Sequence, residues 1–250
     1  MCYSVSYLTH KNEIYARRLG IPTDKEASFF AQLDQIRNYI GVAWYRSGFE
    51  FPGLPVLTFF PELKVIPGFW GLIPHWAKSK DKQKDLIKHT LNARIETLLE
   101  KPSFKKATEK NRCIVMLDGF FEYKHIEKKA HPYYITYLDK RPMLIGGIYE
   151  IAPDNIPFSI TLSIVTKPGN ALMTEIHNKS QAGEPRMPLI LEGDYLQKWT
   201  SSPAQEAIQE CKNLEINNLT AIPVGSLTGK NGIGNKPQAH INIHLNPTSQ

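Results

Sequence analysis

The residues able to do chemistry gather at position 2 and in the stretch 92–124, NARIETLLEKPSFKKATEKNRCIVMLDGFFEYK. Cys2 follows Met1, so removal of that Met leaves a free α-amine beside a thiol. Their unperturbed pKa values, roughly 8 and 8.5, keep both groups partly deprotonated near neutral pH. Such a 1,2-aminothiol condenses with an aldehyde, after which the thiolate closes a five-membered thiazolidine on the imine carbon. The same pair can instead attack an acyl carbon with the amine as base, the N-terminal-nucleophile arrangement. A free Cys also serves simply as a small buried hydrophobe, and by itself Cys2 decides nothing.

In the second region, Asn92, Arg94 and Glu96 recur at every second position, which puts all three on one face of an extended segment. Ser103 is placed to cap a short helix carrying Lys105, Lys106 and Lys110. The apolar run 113–117 reads as a buried strand and leads directly into Asp118 and Glu122. Carboxylates set among aromatics beside a buried strand are costly unless they are paired or have work to do. A turn Asp and a surface Glu are the ordinary account of the same residues.

Several elements must position these groups. Residues 2–8 read as a strand, 11–19 as a short helix closed by Gly20, and 24–38 as an amphipathic helix opened by a capping box at Thr23 and Glu26. Strands follow at 56–60, 64–66 and 69–73. The lysine-dense segment 75–90 has Trp76 at its front, and reads either as a solvated face or as a cationic rim on which a base can stack. The stretch 112–166 reads as an antiparallel meander, with turns at 127–132 and 139–142. A helical turn at 171–176 then delivers His177. Helices at 194–199 and 203–211 and a strand at 219–224 complete the order, and 225–237 is a Gly-, Lys- and Asn-rich loop. The expected fold is α+β, one domain over 1–250 with 238–250 as a loose tail, built on a largely antiparallel, barrel-like β-meander with short flanking helices.

Composition sets broad limits. A 250-residue chain with 42% hydrophobic and 22% charged residues can bury a full core. A net charge of +6 suits a polyanionic partner without requiring one. Three cysteines without CxxC or metal-ligand spacing point to a reducing compartment and to no metal site. With no signal-like start and no long apolar run, the expectation is a cytoplasmic protein that makes no membrane contact and needs no cofactor.

Six ordered blocks then take on meaning together: the Met-Cys start, FWGLIP at 69–74, NARIET at 92–97, DGFFEYK at 118–124, Ile176-His177, and RMPLIL at 186–191. In this order they resemble the SRAP (SOS-response-associated peptidase-like) family, whose members process abasic sites in DNA. The chain departs from the family pattern in having Tyr3-Ser4 where Gly-Arg usually follows the Cys. An insertion at 179–185 also splits the family's Ile-His-Asp-Arg-Met-Pro block, so either Lys179 or Arg186 stands for its Arg.

The resemblance implies a monomer that binds single-stranded DNA containing abasic sites and crosslinks to it through Cys2 after loss of Met1, associating with the nucleoid when DNA is damaged. Glu122 and His177 are the expected proton carriers. Asn92, Arg94, Trp76 and either Arg186 or Lys179 are the expected DNA contacts. Two other readings use the same residues: an N-terminal-nucleophile peptidase or amidohydrolase, which needs an oxyanion hole, and a non-covalent single-strand-binding module.

Overall fold

Apolar and β-branched runs separated by Gly, Pro and Asp turns form the strands of this chain, and the amphipathic stretches between them form its helices. The computed structural model describes residues 3–59, 63–179 and 183–244. Strand β1 (Ser4–Tyr7) is followed by helices α1 (Asn12–Leu19) and α2 (Thr23–Ile40), then β2 (Ala43–Ser47), β3 (Gly53–Thr58), β4 (Lys64–Trp70) and α3 (Lys80–Ile87). The middle of the chain runs β5 (Asn92–Arg94), α4 (Lys105–Lys110), β6 (Arg112–Leu117), β7 (Gly119–Ile126), β8 (Lys129–Tyr137), β9 (Met143–Ile151) and β10 (Ile160–Pro168). It ends with α5 (Ala171–Ile176), β11 (Arg186–Pro188), α6 (Tyr195–Ser201), α7 (Ala204–Lys212) and β12 (Leu219–Pro223).

The strands make two sheets. One is 5-stranded, in the order β12-β8-β7-β1-β2; the other is 7-stranded, in the order β11-β10-β4-β3-β6-β9 with β5 beside β10. Because β9 also pairs with β10, the strands β10, β4, β3, β6 and β9 close on themselves as a barrel, which removes their free edges. Pairing is antiparallel except where β4 and β5 run parallel to β10. Among the described residues a large connected apolar cluster extends from Val5 to Leu219, and a smaller one gathers Tyr45, Phe121, Tyr134, Val224, Leu227 and Ala239. The fold is therefore α+β, largely antiparallel and barrel-like. No helix of the described residues is long and apolar enough to cross a membrane.

The run 112–166 is divided between the sheets and does not form a continuous meander. Strand β9 returns to pair with β6, while β7 and β8 form a hairpin in the other sheet. The crossing is at Asp118-Gly119, where a Cβ on Gly119 would lie 2.4 Å from the Tyr134 ring and 2.6 Å from the Ile135 carbonyl. Only glycine fits a backbone approach that close.

Several local expectations change for physical reasons. The segments 64–66 and 69–73 are not separate strands: β4 runs through Pro67, and β10 begins to pair with it only at Gly68, so a missing N–H there interrupts little of the ladder. Thr23 is the first residue of α2 and the cap position is Pro22, without a side-chain cap bond, so no capping box forms. Ser103 does not cap α4, because the N–H groups of Phe104 and Lys105 already donate to the Lys101 carbonyl. The turn expected at 127–132 has only two residues: Ile126 pairs with Lys129, and Glu127 takes the left-handed conformation (φ 55). Gly20 does close α1 in the left-handed region, donating its N–H to the Ala16 and Arg17 carbonyls.

The loop after β12 is sewn onto β2. The Asn235 side-chain oxygen accepts from the N–H groups of Trp44 at 2.7 Å and Tyr45 at 3.2 Å. His240 Nε2 lies 2.8 Å from the Trp44 carbonyl, and its ring stacks on Tyr134 at 3.9 Å. Ala239 is fully buried between them. Of the expected tail, 245–250 lies outside the described residues.

Candidate active site

Glu122 comes two residues after the buried Phe120 on β7. Strand β1 pairs with β7 at Val5–Phe120 and Ser6–Gly119; carried back, that register sets residue 3 opposite Glu122. Tyr3, the first described residue, is therefore set beside this carboxylate by the strand register. Met1 and Cys2 themselves lie outside the described residues.

Glu122 is 8% exposed, and its Oε1 accepts from the Tyr123 N–H at 3.0 Å. Its Oε2 lies 3.5 Å from His177 Nδ1. His177 directly follows α5 as its C-cap residue, and Asn170 caps the other end by accepting from the Met173 N–H. The helical turn expected to deliver His177 is therefore present. Burial pushes the His177 pKa down, and the Glu122 carboxylate opposes that only in part, so the imidazole is neutral at pH 7. The neutral ring faces a carboxylate across a short gap, which is the arrangement of a proton relay.

Arg186 forms the floor behind His177. Its N–H reaches His177 Nδ1 at 3.3 Å. Its guanidinium donates to both Glu96 oxygens at 2.8 Å and to the Thr166 carbonyl at 2.9 Å. Burial raises the Glu96 carboxyl, but the Arg186 hydrogen bonds and charge outweigh it and leave Glu96 below its ordinary value. The pair is bridged by β10, which has β5 on one side and β11 on the other. Arg186, expected among the DNA contacts, is only 2% exposed and is committed to Glu96. Lys179 is exposed.

The face expected from Asn92, Arg94 and Glu96 is extended only over β5, after which the chain enters a 3-10 turn at Ile95–Thr97. The alternation survives: Ala93 and Ile95 are buried, Arg94 and Glu96 are exposed, and Asn92 is half-buried. Trp76 is half-buried on the loop before α3, where its Nε1 donates to the Pro102 carbonyl at 3.2 Å and the Lys82 ammonium lies 4.7 Å over its ring. Sequence reasoning set Glu96 on the polar face without a role. Its holding of Arg186 depends on a partner that only the sheet topology brings near.

Asp118 is structural. It is 1% exposed and accepts from the Thr9 N–H at 2.7 Å, the Thr9 hydroxyl at 2.8 Å and the Tyr15 hydroxyl at 2.5 Å. Burial, and next the Asp118 charge, push the Tyr15 hydroxyl well above its ordinary pKa, so it stays a donor. Cys113 and Cys211 are buried free thiols. Burial pushes Cys211 up to about 11 and Cys113 higher still, so neither is a thiolate nucleophile at neutral pH. Among the described residues no cluster of His, Cys, Asp and Glu is arranged to hold a metal ion.

Known proteins resemble this chain in sequence and fold. The abasic site processing protein YoqW of Bacillus subtilis is 38% identical over 133 residues, 52% of this chain and 54% of its own. The abasic site processing protein HMCES of Mus musculus is 30% identical over 206 residues, 70% of this chain and 55% of its own. The matches thus span about half the length of these curated relatives. A crystal structure of a Bacteroides thetaiotaomicron protein superposes with a TM-score of 0.77 at 29% identity, covering 96% of this chain and 98% of that one. A Bordetella bronchiseptica protein shares the fold at a TM-score of 0.69 and 20% identity, covering 90% of this chain and 100% of that one. The model of the SOS response associated peptidase (SRAP) family matches residues 52–231, a span that takes in Glu122, His177 and Arg186, and the chain belongs to that family.

Proposed function

We propose that this protein captures abasic sites in single-stranded DNA as a covalent thiazolidine made by Cys2 after loss of Met1. The observation that carries the reading is the Glu122–His177 pair, 3.5 Å apart and both nine-tenths buried, beside the register position of Tyr3. The printed names of the relatives, abasic site processing proteins, support the same substrate.

An abasic deoxyribose opens to an aldehyde when its anomeric hydroxyl loses a proton and its ring oxygen gains one, and the neutral His177 imidazole is the group to take the first and return it to the second. The Cys2 amine then adds to the aldehyde carbon, and loss of water leaves an imine. Glu122 carries the protons between amine and leaving hydroxyl. The Cys2 thiolate attacks the imine carbon, the π electrons pass to nitrogen, and nitrogen takes a proton to close the ring. The net change is one water lost per crosslink. Arg94 and Lys179 meet phosphates, Asn92 orients the sugar, and Trp76 offers a face to a base. Arg186, held by Glu96, fixes the position of His177.

An unpaired sugar can meet the Cys2 amine without loss of stacking or pairing, whereas a duplex must first be distorted at a cost of a few kcal/mol. Crosslink yields on matched single- and double-stranded abasic oligonucleotides, read on denaturing gels, test the proposal. A clear single-strand preference that vanishes in Cys2→Ala is expected. Equal rates on both substrates would count against it. Affinity should be largely independent of sequence and should weaken with salt.

A further inference from the structure

The start of the chain carries an aromatic pair that the crosslinking scheme does not use. The Tyr3 and Phe49 rings lie 4.9 Å apart with their planes tilted by 32°, and Phe49 is 57% exposed. The turn that presents Phe49 is stiff. The Gly48 N–H donates to the Tyr3 carbonyl at 2.7 Å, and the Ser47 hydroxyl accepts from the Phe49 N–H. A Cβ on Gly48 would come within 3.0 Å of the buried Trp70 ring, so the turn is seated directly on the core. Phe51, which closes it, takes a left-handed conformation (φ 51) rare for a bulky residue, and its ring stacks on Phe69 at 6.0 Å. Backbone strain of this kind persists where the surroundings enforce it, and it clusters at ligand clamps. Here it holds a large apolar ring in solvent at the end of β1 that leads to Cys2.

We infer that the Tyr3–Phe49 pair is a stacking platform for the nucleobase adjacent to the abasic site. This rests on the proposed DNA reading and adds a base-reading subsite to it. The occupant is argued from position and chemistry. The residue next to the proposed reacting Cys in sequence is one member of the pair, which puts this surface within reach of a nucleotide attached to the trapped sugar. A surface that reads a base by stacking on its rings suits a base of any sequence. The Arg46–Glu50 ion pair at 3.3 Å flanks the turn and leaves its local charge balanced, so the contact gains little from phosphate attraction. Purines, with the larger face, are preferred as neighbours.

The test uses an oligonucleotide with a stable tetrahydrofuran abasic analogue, which cannot crosslink, flanked on one side by 2-aminopurine. Binding by the wild-type protein is expected to quench the fluorophore. Phe49→Ala should lose the quench and weaken binding about tenfold to a hundredfold, the cost of one lost stacking contact, while Phe49→Trp restores both. On an oligonucleotide whose flanking positions are also baseless, wild type and Phe49→Ala should bind alike. A quench and affinity unchanged in Phe49→Ala would overturn the platform, as would a defect that persists on the baseless flank. Crosslinking of a natural abasic oligonucleotide, measured in parallel, separates the two claims. A crosslink without Phe49-dependent quenching removes only the platform, and Phe49-dependent quenching without any crosslink removes only the covalent chemistry.

Discussion

At the scale of single residues, Glu122 and His177 are adjacent in the structure but differ in what each should control. Glu122→Gln keeps the side-chain shape and removes the proton carrier, so crosslinking should slow roughly 10²- to 10⁴-fold with little loss of initial DNA affinity. Arg94→Ala should do the reverse, losing affinity first and showing a shallower salt dependence. His177→Ala should slow ring opening and also reversal of the adduct, because a proton donor serves both directions. Gel-shift affinity and denaturing-gel crosslink rates on one oligonucleotide distinguish the three. A wild-type rate in Glu122→Gln would make that carboxylate structural. The sequence singled these residues out by type and by ordered blocks, and the structure sets Glu122 and His177 3.5 Å apart. The role of Glu96 was not legible in the sequence, because its partner Arg186 is 90 positions away and only β10 brings the two together.

At the scale of elements, the Asp118 carboxylate ties β1 and α1 to the crossing between the two sheets. It is itself buried and takes three hydrogen bonds. Asp118→Ala would leave the buried Tyr15 hydroxyl and the half-buried Thr9 N–H without this acceptor, and should cost about 3 kcal/mol. Denaturant unfolding measures this; a change below about 1 kcal/mol would mean that the carboxylate is not the staple described. Most elements were readable from period and punctuation: Gly20 ends α1 as expected, and 143–151 is one strand. Pairing was not readable. The run 112–166 looks like a meander because each strand is followed by a turn, yet the Asp118-Gly119 crossing sends β7 and β8 into the other sheet. The Pro67 break was misleading for a similar reason, since whether a proline interrupts a strand depends on where its neighbour begins to pair.

At the scale of the whole molecule, a large core is joined by a smaller apolar cluster, where the segment after β12 wraps back over β2 and is latched by His240. Burial lowers the His240 pKa to about 4, against the opposing pull of its hydrogen bond to Trp44. The unfolded ring titrates near 6.5. Between those values the unfolded chain binds a proton that the folded chain excludes, so stability must fall as pH drops through that window. The full effect is at most about 3 kcal/mol, less where solvent reaches the ring. His240→Asn should be less stable than wild type at pH 7, with the gap narrowing toward pH 4 in thermal unfolding. Parallel curves would show that the latch does not titrate. The loop 225–237, which composition shows only as rich in Gly, Lys and Asn, is fixed through Asn235, a long-range bond that no local pattern announces.

The central claim is that Cys2, freed of Met1, closes a ring on the abasic aldehyde. Intact-mass analysis of the denatured protein, before and after incubation with an abasic oligonucleotide, tests it most directly. The starting mass should lack Met1, and the product should equal protein plus oligonucleotide less one water, with the adduct mapped to Cys2 and absent from Cys2→Ala. Full crosslinking by protein that retains Met1 would contradict the account, as would an adduct on any other residue, because an acylated α-nitrogen cannot form the imine on which ring closure depends.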